Sequence, residues 1–430
     1  MKQQALNERS AFDLARQLSR REISAEQLVQ ACLARIELRE PEVQAWTCLA
    51  PDAALQRARA LDRGPVRGLL HGLPIGIKDL FDTADLPTSY GTAIYAGHQP
   101  AADAAVVAIC RDAGAIVIGK TVTTELANFH PGKTRNPHRL THTPGGSSSG
   151  SAAAVADAMV PLAFGTQTAA SIIRPAAFCG VVGYKPSLGR VVRAGIKSLS
   201  DTLDTVGGFG RTVPDVALLV AAMTGDERLL DLATDRAPRF ALCRTYEWQH
   251  ADDDTQAAMA LAASKLSGAG APVADITLPE LFATLVQAQT RIMAFEMARN
   301  LSWERIGHSS ALSPVLAALL NEGMTITSEQ HEKNLAAGMN GRQLIDACFG
   351  NHDVLIAPST IGEAPSGLDN TGNPLFCRTW TLLGLPCVHV PFATGATGLP
   401  VGLQVIGRIG ADRQTLQAAH WMHARLLNNM

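Results

Sequence analysis

In the stretch GTQTAASIIRPAAFCG, residues 165–180, one serine follows two alanines and precedes an arginine by three positions. Ser171 has the setting of a reactive turn. The apolar run 159–164 reads as a strand, and the small or hydroxylated residues 165–170 let backbone come close to a ligand. A serine hydroxyl is a poor nucleophile until a positioned base takes its proton, and no base lies beside it in the chain. Histidine is the usual base, and the chain has 12. Gly146-Ser147-Ser148-Ser149-Gly150 matches GxSxG, with Asp353 and His389 downstream in the order of a hydrolase elbow. The polar, proline-broken run before Gly146 is unsuited to the buried strand that such an elbow must follow. His130, His138 and His142 lie in a polar loop without Cys or Asp ligands beside them, so ordinary loop histidines describe them better than a metal site.

Lys78, in LPIGIKDLF, is a third source. A lone lysine at a strand end ordinarily reaches for water. To act as a base at neutral pH its pKa must fall from about 10.4 to near 7, a shift of roughly 4 to 5 kcal/mol that only burial or cationic neighbours supply. Lys78 and Lys185 stand in apolar or glycine-rich settings, whereas Lys2, Lys265 and Lys333 look like surface residues.

The elements that must carry these groups follow from pattern. Ser10 is a candidate cap with Leu14 and Leu18 four apart, and Ser24-Ala-Glu-Gln27 is a capping box before LVQACLARIE, so the chain opens with two helices. From about residue 65 short apolar runs punctuated by Gly and Pro alternate with helical stretches, the signature of an α/β protein. RFALCR, PVADITLP, HDVLIAPS and GLPCVHVPF read as strands of a large sheet. Residues 280–350 are mostly helical and poor in motifs.

Composition narrows the function. At 430 residues the chain can bury a large core, and 37 basic against 39 acidic residues leave a formal charge of −2, which implies no nucleic-acid partner. The eight scattered cysteines contain no CxxC pair and read as reduced core residues of a cytoplasmic protein. The charged N-terminus and the shortness of the apolar runs argue against secretion and membrane insertion.

Three segments, GLPIGIKDLFDTADLPTSYGT at 72–92, TPGGSSSGSAAAVA at 143–156 and GTQTAASIIRPAAFCGVVGYKPS at 165–187, occur in this order. Together they closely resemble the amidase signature family, and the resemblance runs nearly end to end. It implies one α/β/α domain over 1–430, a large mixed sheet covered by helices on both faces. Its parts would be N-terminal helices (1–64), the signature core (65–225), a variable, mostly helical substrate-shaping region (226–350) and the closing strands and helix of the same core (351–430). It implies hydrolysis of a small carboxamide through an acyl-serine, with no metal or organic cofactor. By motif Ser171 matches the nucleophile, Ser147 the bridging cis-serine and Lys78 the general base. The backbone N–H groups of Thr168, Ala169, Ala170 and Ser171 match the oxyanion hole. A homodimer is the family-level expectation.

Two departures stand out. Ala169-Ala170 replaces the usual Gly-Gly, which would cost about 1 kcal/mol or more if either position needed positive φ, and Gln167 stands where many members have Asp. Arg174 lies three residues after the nucleophile rather than two, as in the malonamidase-like branch, where the resemblance implies an arginine that holds a substrate carboxylate; a buried arginine tying loops together fits the sequence equally. Two alternatives stay open: the glutamine-hydrolysing subunit of a tRNA-dependent amidotransferase, for which this chain looks short, and a binding homologue weakened by its two alanines.

Overall fold

The runs PIGIK, IVIGKT and LAFGTQ have no polar face, and each becomes a strand buried along its whole length. Successive residues of a strand point to opposite faces, so these strands are covered on both sides. They belong to one sheet of eleven strands in the computed structural model, which describes residues 4–427. The strands are β1 Trp46–Leu49, β2 Pro74–Lys78, β3 Ile116–Thr121, β4 Leu162–Gln167, β5 Val182–Lys185, β6 Thr205–Gly210, β7 Phe240–Cys243, β8 Val273–Ile276, β9 Val354–Pro358, β10 Cys387–Thr394 and β11 Pro400–Ile406. Across the sheet they run β1-β3-β2-β4-β6-β5-β10-β11-β9-β7-β8. The β3-β2-β4 and β9-β7-β8 groups pair in parallel and the remaining neighbours antiparallel, giving a mixed sheet.

Both expected opening helices form. Ser10 accepts from the Asp13 amide at the start of Ala11–Ser19, and Ser24 and Gln27 make a reciprocal capping box for Ala25–Val43. One expectation needs correction. The 1–64 segment is not helices alone, because Gln44 turns left-handed after the second helix and Trp46–Leu49 pairs antiparallel with β3; Trp and Thr suit a pleated surface better than a helix. The 226–350 segment is mostly helical, and its β7 and β8, at the runs RFALCR and PVADITLP, extend the sheet that the earlier strands began.

The register aims the site. β2 and β4 are parallel neighbours with Ile75 opposite Leu162 and Gly76 opposite Ala163, so both chains leave the sheet at the same edge, β2 ending on Lys78 and β4 on Gln167. Between them the segment 143–156 turns into the helix Ser149–Ala156, of which residues 149–155 are buried. Only small residues fit there: a side chain at Gly150 would meet Ala45 O at 2.2 Å and Val122 N at 2.4 Å. A second, smaller hydrophobic cluster joins Ala169, Ala170 and Ile173 to Met293 of the helix Leu285–Asn300 and to Cys377 and Trp380 of the helix Leu375–Leu382. Those two helices wall the site on the side away from the Ser149–Ala156 helix.

Candidate active site

Lys78 is fully buried at the end of β2. Its Nζ lies 2.9 Å from Ser147 Oγ and donates to Thr166 Oγ1 at 2.7 Å. The Gly146–Ser147 peptide is cis. Burial pulls the Lys78 ammonium down from 10.5 to about 7, the Asp204 charge opposing it, so a group that is a cation in water becomes half neutral near physiological pH. Burial alone does not make such a site. Lys120 is equally buried but pairs with Asp79 at 3.0 Å and donates to the Phe81 carbonyl, while Lys185 donates to the Pro186 carbonyl. Of these three buried lysines, Lys78 is the one against a serine.

Ser171 follows β4 and is 7% exposed. Among the described residues no hydrogen bond engages its Oγ, which leaves the hydroxyl without a partner. The amides of Thr168, Ala169, Ala170 and Ser171 likewise donate to no acceptor among the described residues, although the segment is buried. Buried N–H groups are nearly always paired, and a row of unpaired ones beside a hydroxyl is the arrangement that stabilises a developing oxyanion. The carbonyls on the same segment are pinned from behind: Gln289 Nε2 donates to Thr168 O at 2.9 Å and Thr381 Oγ1 to Ala169 O at 2.7 Å. The Thr168 hydroxyl donates to Asp204, whose other oxygen takes the amides of Leu199 and Ser200. Burial raises the Asp204 pKa, and these bonds pull it back.

The alanines carry no backbone cost. Neither Ala169 nor Ala170 has positive φ, and both belong to the second hydrophobic cluster, so the strain foreseen for a Gly-Gly replacement does not arise. Gln167 does the work of a helix cap: its Oε1 accepts from the amides of Ile172 and Ile173, each at 3.0 Å, and its Nε2 donates to Thr381. A neutral amide oxygen thus serves at the position where the resemblance implies Asp.

Arg174 lies in the helix Ile173–Cys179, buried, and spends its guanidinium on backbone. Nη2 donates to Gly146 O and Nη1 to Gly372 O. This favours the loop-tying reading: the arginine fastens the cis-serine loop to the 370–372 turn. Arg174→Ala would leave two carbonyls without donors at about 1 to 3 kcal/mol each. The variant should melt at lower temperature and lose kcat/KM alike for charged and neutral amides; loss confined to carboxylated amides at an unchanged Tm would return the residue to substrate binding.

The rival constellation does not assemble. Ser148 bonds the Thr166 backbone, Asp353 pairs with Arg236 and Arg239, and the buried His389 meets Ser359 at 2.7 Å. Nor do the three loop histidines gather: His138 bonds Cys179 O and His142 sits by Thr141. Among the described residues no group of three or more His, Cys, Asp or Glu could hold a metal.

Comparison with known proteins matches this geometry to a family: the amidase profile covers residues 27–416. The chain belongs to the amidase family. It is accordingly a hydrolase of amide C–N bonds. It is 32% identical to one of the subunits of the glutamyl-tRNA(Gln) amidotransferase of Synechococcus elongatus, over 96% of each chain. Among solved structures it superposes on an amidase with TM-score 0.90 and 30% identity, covering 97% of this chain and all of that one. The peptide amidase of Stenotrophomonas maltophilia gives TM-score 0.81 at 30% identity, covering 97% and 96%. The curated relatives point to amidotransferase components and not specifically to the malonamidase-like branch. No helix among the described residues is long and apolar enough to cross a membrane.

Sequence reasoning did not single out Thr166, Asp204, Gln289 or Thr381. Thr166 lies inside a segment, 165–187, that already resembled the family. Gln289 is one of several polar residues in LVQAQTRIMAF, and nothing in the sequence marked it or Thr381.

Proposed function

We propose that this protein hydrolyses a small carboxamide through an acyl-Ser171 intermediate, with Ser147 and Lys78 as a proton relay. Neutral Lys78 takes a proton from Ser147 as Ser147 takes one from Ser171, and Ser171 Oγ attacks the amide carbon. The carbonyl oxygen, now negative, is held by the free amides of Ala169, Ala170 and Ser171. As the C–N bond breaks, the relay runs backwards and protonates the departing ammonia or amine. Water then attacks the ester by the same path and restores the serine.

The observation that carries this reading is the contact between a fully buried lysine and Ser147 in the absence of any carboxylate bonded to that lysine among the described residues. Reaction with a fluorophosphonate serine probe, followed by ammonia release from a panel of amides, tests it. A chain that takes no label and releases no ammonia is the weakened binding homologue instead.

A second reading, the glutaminase component of an amidotransferase, draws on the curated relatives. This chain covers 96% of the Synechococcus protein, so shortness does not separate the two. Copurification of a second chain on which glutamine hydrolysis depends would favour it. All eight cysteines are free, which supports a cytoplasmic setting; a homodimer is proposed with it and is checked by light scattering.

A further inference from the structure

Lys78 and Asp204 are opposite charges that the fold brings to neighbouring hydroxyls without joining them. Thr166, near the end of β4, and Thr168, just past it, are two residues apart, the spacing that puts side chains on one face of a strand. Both line a cavity of about 140 Å³, and Asp204, at the foot of β6, forms part of the same wall. The first hydroxyl takes the Lys78 ammonium at 2.7 Å, and the second donates to Asp204 Oδ1 at 2.6 Å. Among the described residues neither charge is in a salt bridge.

The surroundings of Asp204 suit an ionised carboxylate. Its Oδ2 accepts from the amides of Leu199 and Ser200 at 2.8 and 3.1 Å, so with the Thr168 hydroxyl three donors converge on it, and donors of this kind favour the charged form. The loop that carries those amides is clamped from outside. Glu296, on the helix Leu285–Asn300, accepts from Ser200 Oγ and from the Thr202 amide, and the same helix carries Gln289, which holds the Thr168 carbonyl. Thr168 is thus fixed at its carbonyl by Gln289 and at its hydroxyl by Asp204, and the amides that precede Ser171 begin on this residue.

The other charges nearby are turned elsewhere. Arg193 gives Nη1 to the carbonyls of Asp201 and Asp204, and the Asp201 carboxylate takes Ser198 Oγ. Glu296 faces His331 of the helix Ser328–Phe349 at 3.6 Å, and Asp79, next to Lys78 in the chain, pairs with Lys120. The charge that bears on Lys78 is that of Asp204, which works against burial to keep the ammonium protonated.

We propose that Asp204 is a positioning residue of this site: through Thr168 it fixes the row of amides before Ser171, and it supplies the negative charge that stabilises the Lys78 ammonium. The proposal rests on the amidase reading above. Its two effects are separable, because the hydroxyl contact can be removed while the charge stays.

The test follows the rate of labelling by a fluorophosphonate probe against pH, which needs no knowledge of the substrate, in the wild type and in Asp204→Asn, Thr168→Val and Thr168→Ser. Asp204→Asn keeps an oxygen for Thr168 and loses the charge, so the acid limb of its profile should move to lower pH by about half a unit or more. Thr168→Val should label about ten- to a hundredfold more slowly, the scale of a displaced catalytic segment, with its acid limb at the wild-type pH. Thr168→Ser should recover most of that rate. An acid limb that stays in place in Asp204→Asn, including a uniform loss at every pH with a lowered Tm, overturns the proposal, as does a wild-type rate in Thr168→Val; either leaves the amidase reading intact. A wild type that takes no label and releases no ammonia from any amide overturns both. Should Asp204→Asn fail to fold, the Thr168 pair decides: a loss in Thr168→Val recovered in Thr168→Ser supports the proposal, and no loss, or a loss that serine does not recover, overturns it.

Discussion

Replacing Ser171 with alanine is expected to lower kcat by roughly ten-thousand- to a millionfold, the scale seen when a nucleophile is removed from a catalytic unit, while stability changes by less than about 0.5 kcal/mol. The two halves of this expectation have separate causes. The hydroxyl has no partner among the described residues, so its removal strands no buried donor or acceptor. The space it vacates is one oxygen atom beside Ala169 and Ala170, a turn already built from methyl groups. All of the loss therefore falls on chemistry. Intact-protein mass spectrometry after fluorophosphonate treatment reads it directly, with one adduct on the wild type and none on the variant. An adduct persisting on Ser171→Ala at the wild-type rate would move the nucleophile elsewhere, Ser147 being the next candidate, and melting curves for the two proteins should overlay.

The site was legible in the sequence to the extent that its chemistry is local. GTQTAAS holds the proposed nucleophile and the amides proposed for the oxyanion in one turn, and IKDL ends a strand in a lysine, so segment reading brings both forward as candidates. The Ser24–Gln27 capping box was legible for the same reason, since its partners are three residues apart. What the sequence did not yield is long-range. Gln289 and Thr381 reach the oxyanion carbonyls from 121 and 212 residues away, and no local pattern distinguishes a glutamine facing a core from one facing water. The weight placed on Ala169-Ala170 went astray differently: a missing glycine matters only where φ is positive, and backbone sign is set by the pinned carbonyls on either side. Arg174 shows the same limit. It lies three residues past Ser171 and drew the substrate role, yet its terminal nitrogens are taken by carbonyls 28 and 198 residues away. Nor could the alternation of strands and helices reveal that β1, 46–49, crosses to pair with β3, because antiparallel pairing across that distance is a property of the sheet.

Lys78 should set the pH dependence, and its replacement should have the second largest effect. With the ammonium drawn by burial from 10.5 to about 7, kcat/KM should rise with pH through an apparent pKa near 7 that belongs to the coupled lysine–serine pair. Lys78→Ala should cost about a hundred- to ten-thousandfold, the range for a general base, and flatten the profile. Lys78→Arg should not recover it, because a guanidinium stays protonated and cannot accept. Stability gives an independent reading. Between about 7 and 10.5 the unfolded chain holds a proton on Lys78 that the folded chain does not, so this residue makes stability rise with pH across that window and exacts its full cost below it. Relative to wild type, Lys78→Met should therefore gain stability as the pH falls from 10.5 to 7, measured as the difference in denaturant midpoints. Lys120 supplies the contrast. Its ammonium is held against Asp79 in the native state, so Lys120→Met strands a buried carboxylate and should destabilise the protein by about 3 to 5 kcal/mol. A Lys78→Met variant that is destabilised to the same degree at every pH, in an enzyme whose pH–rate profile stays unchanged, would give Lys78 the structural role that Lys120 has and would leave Ser171 without its base.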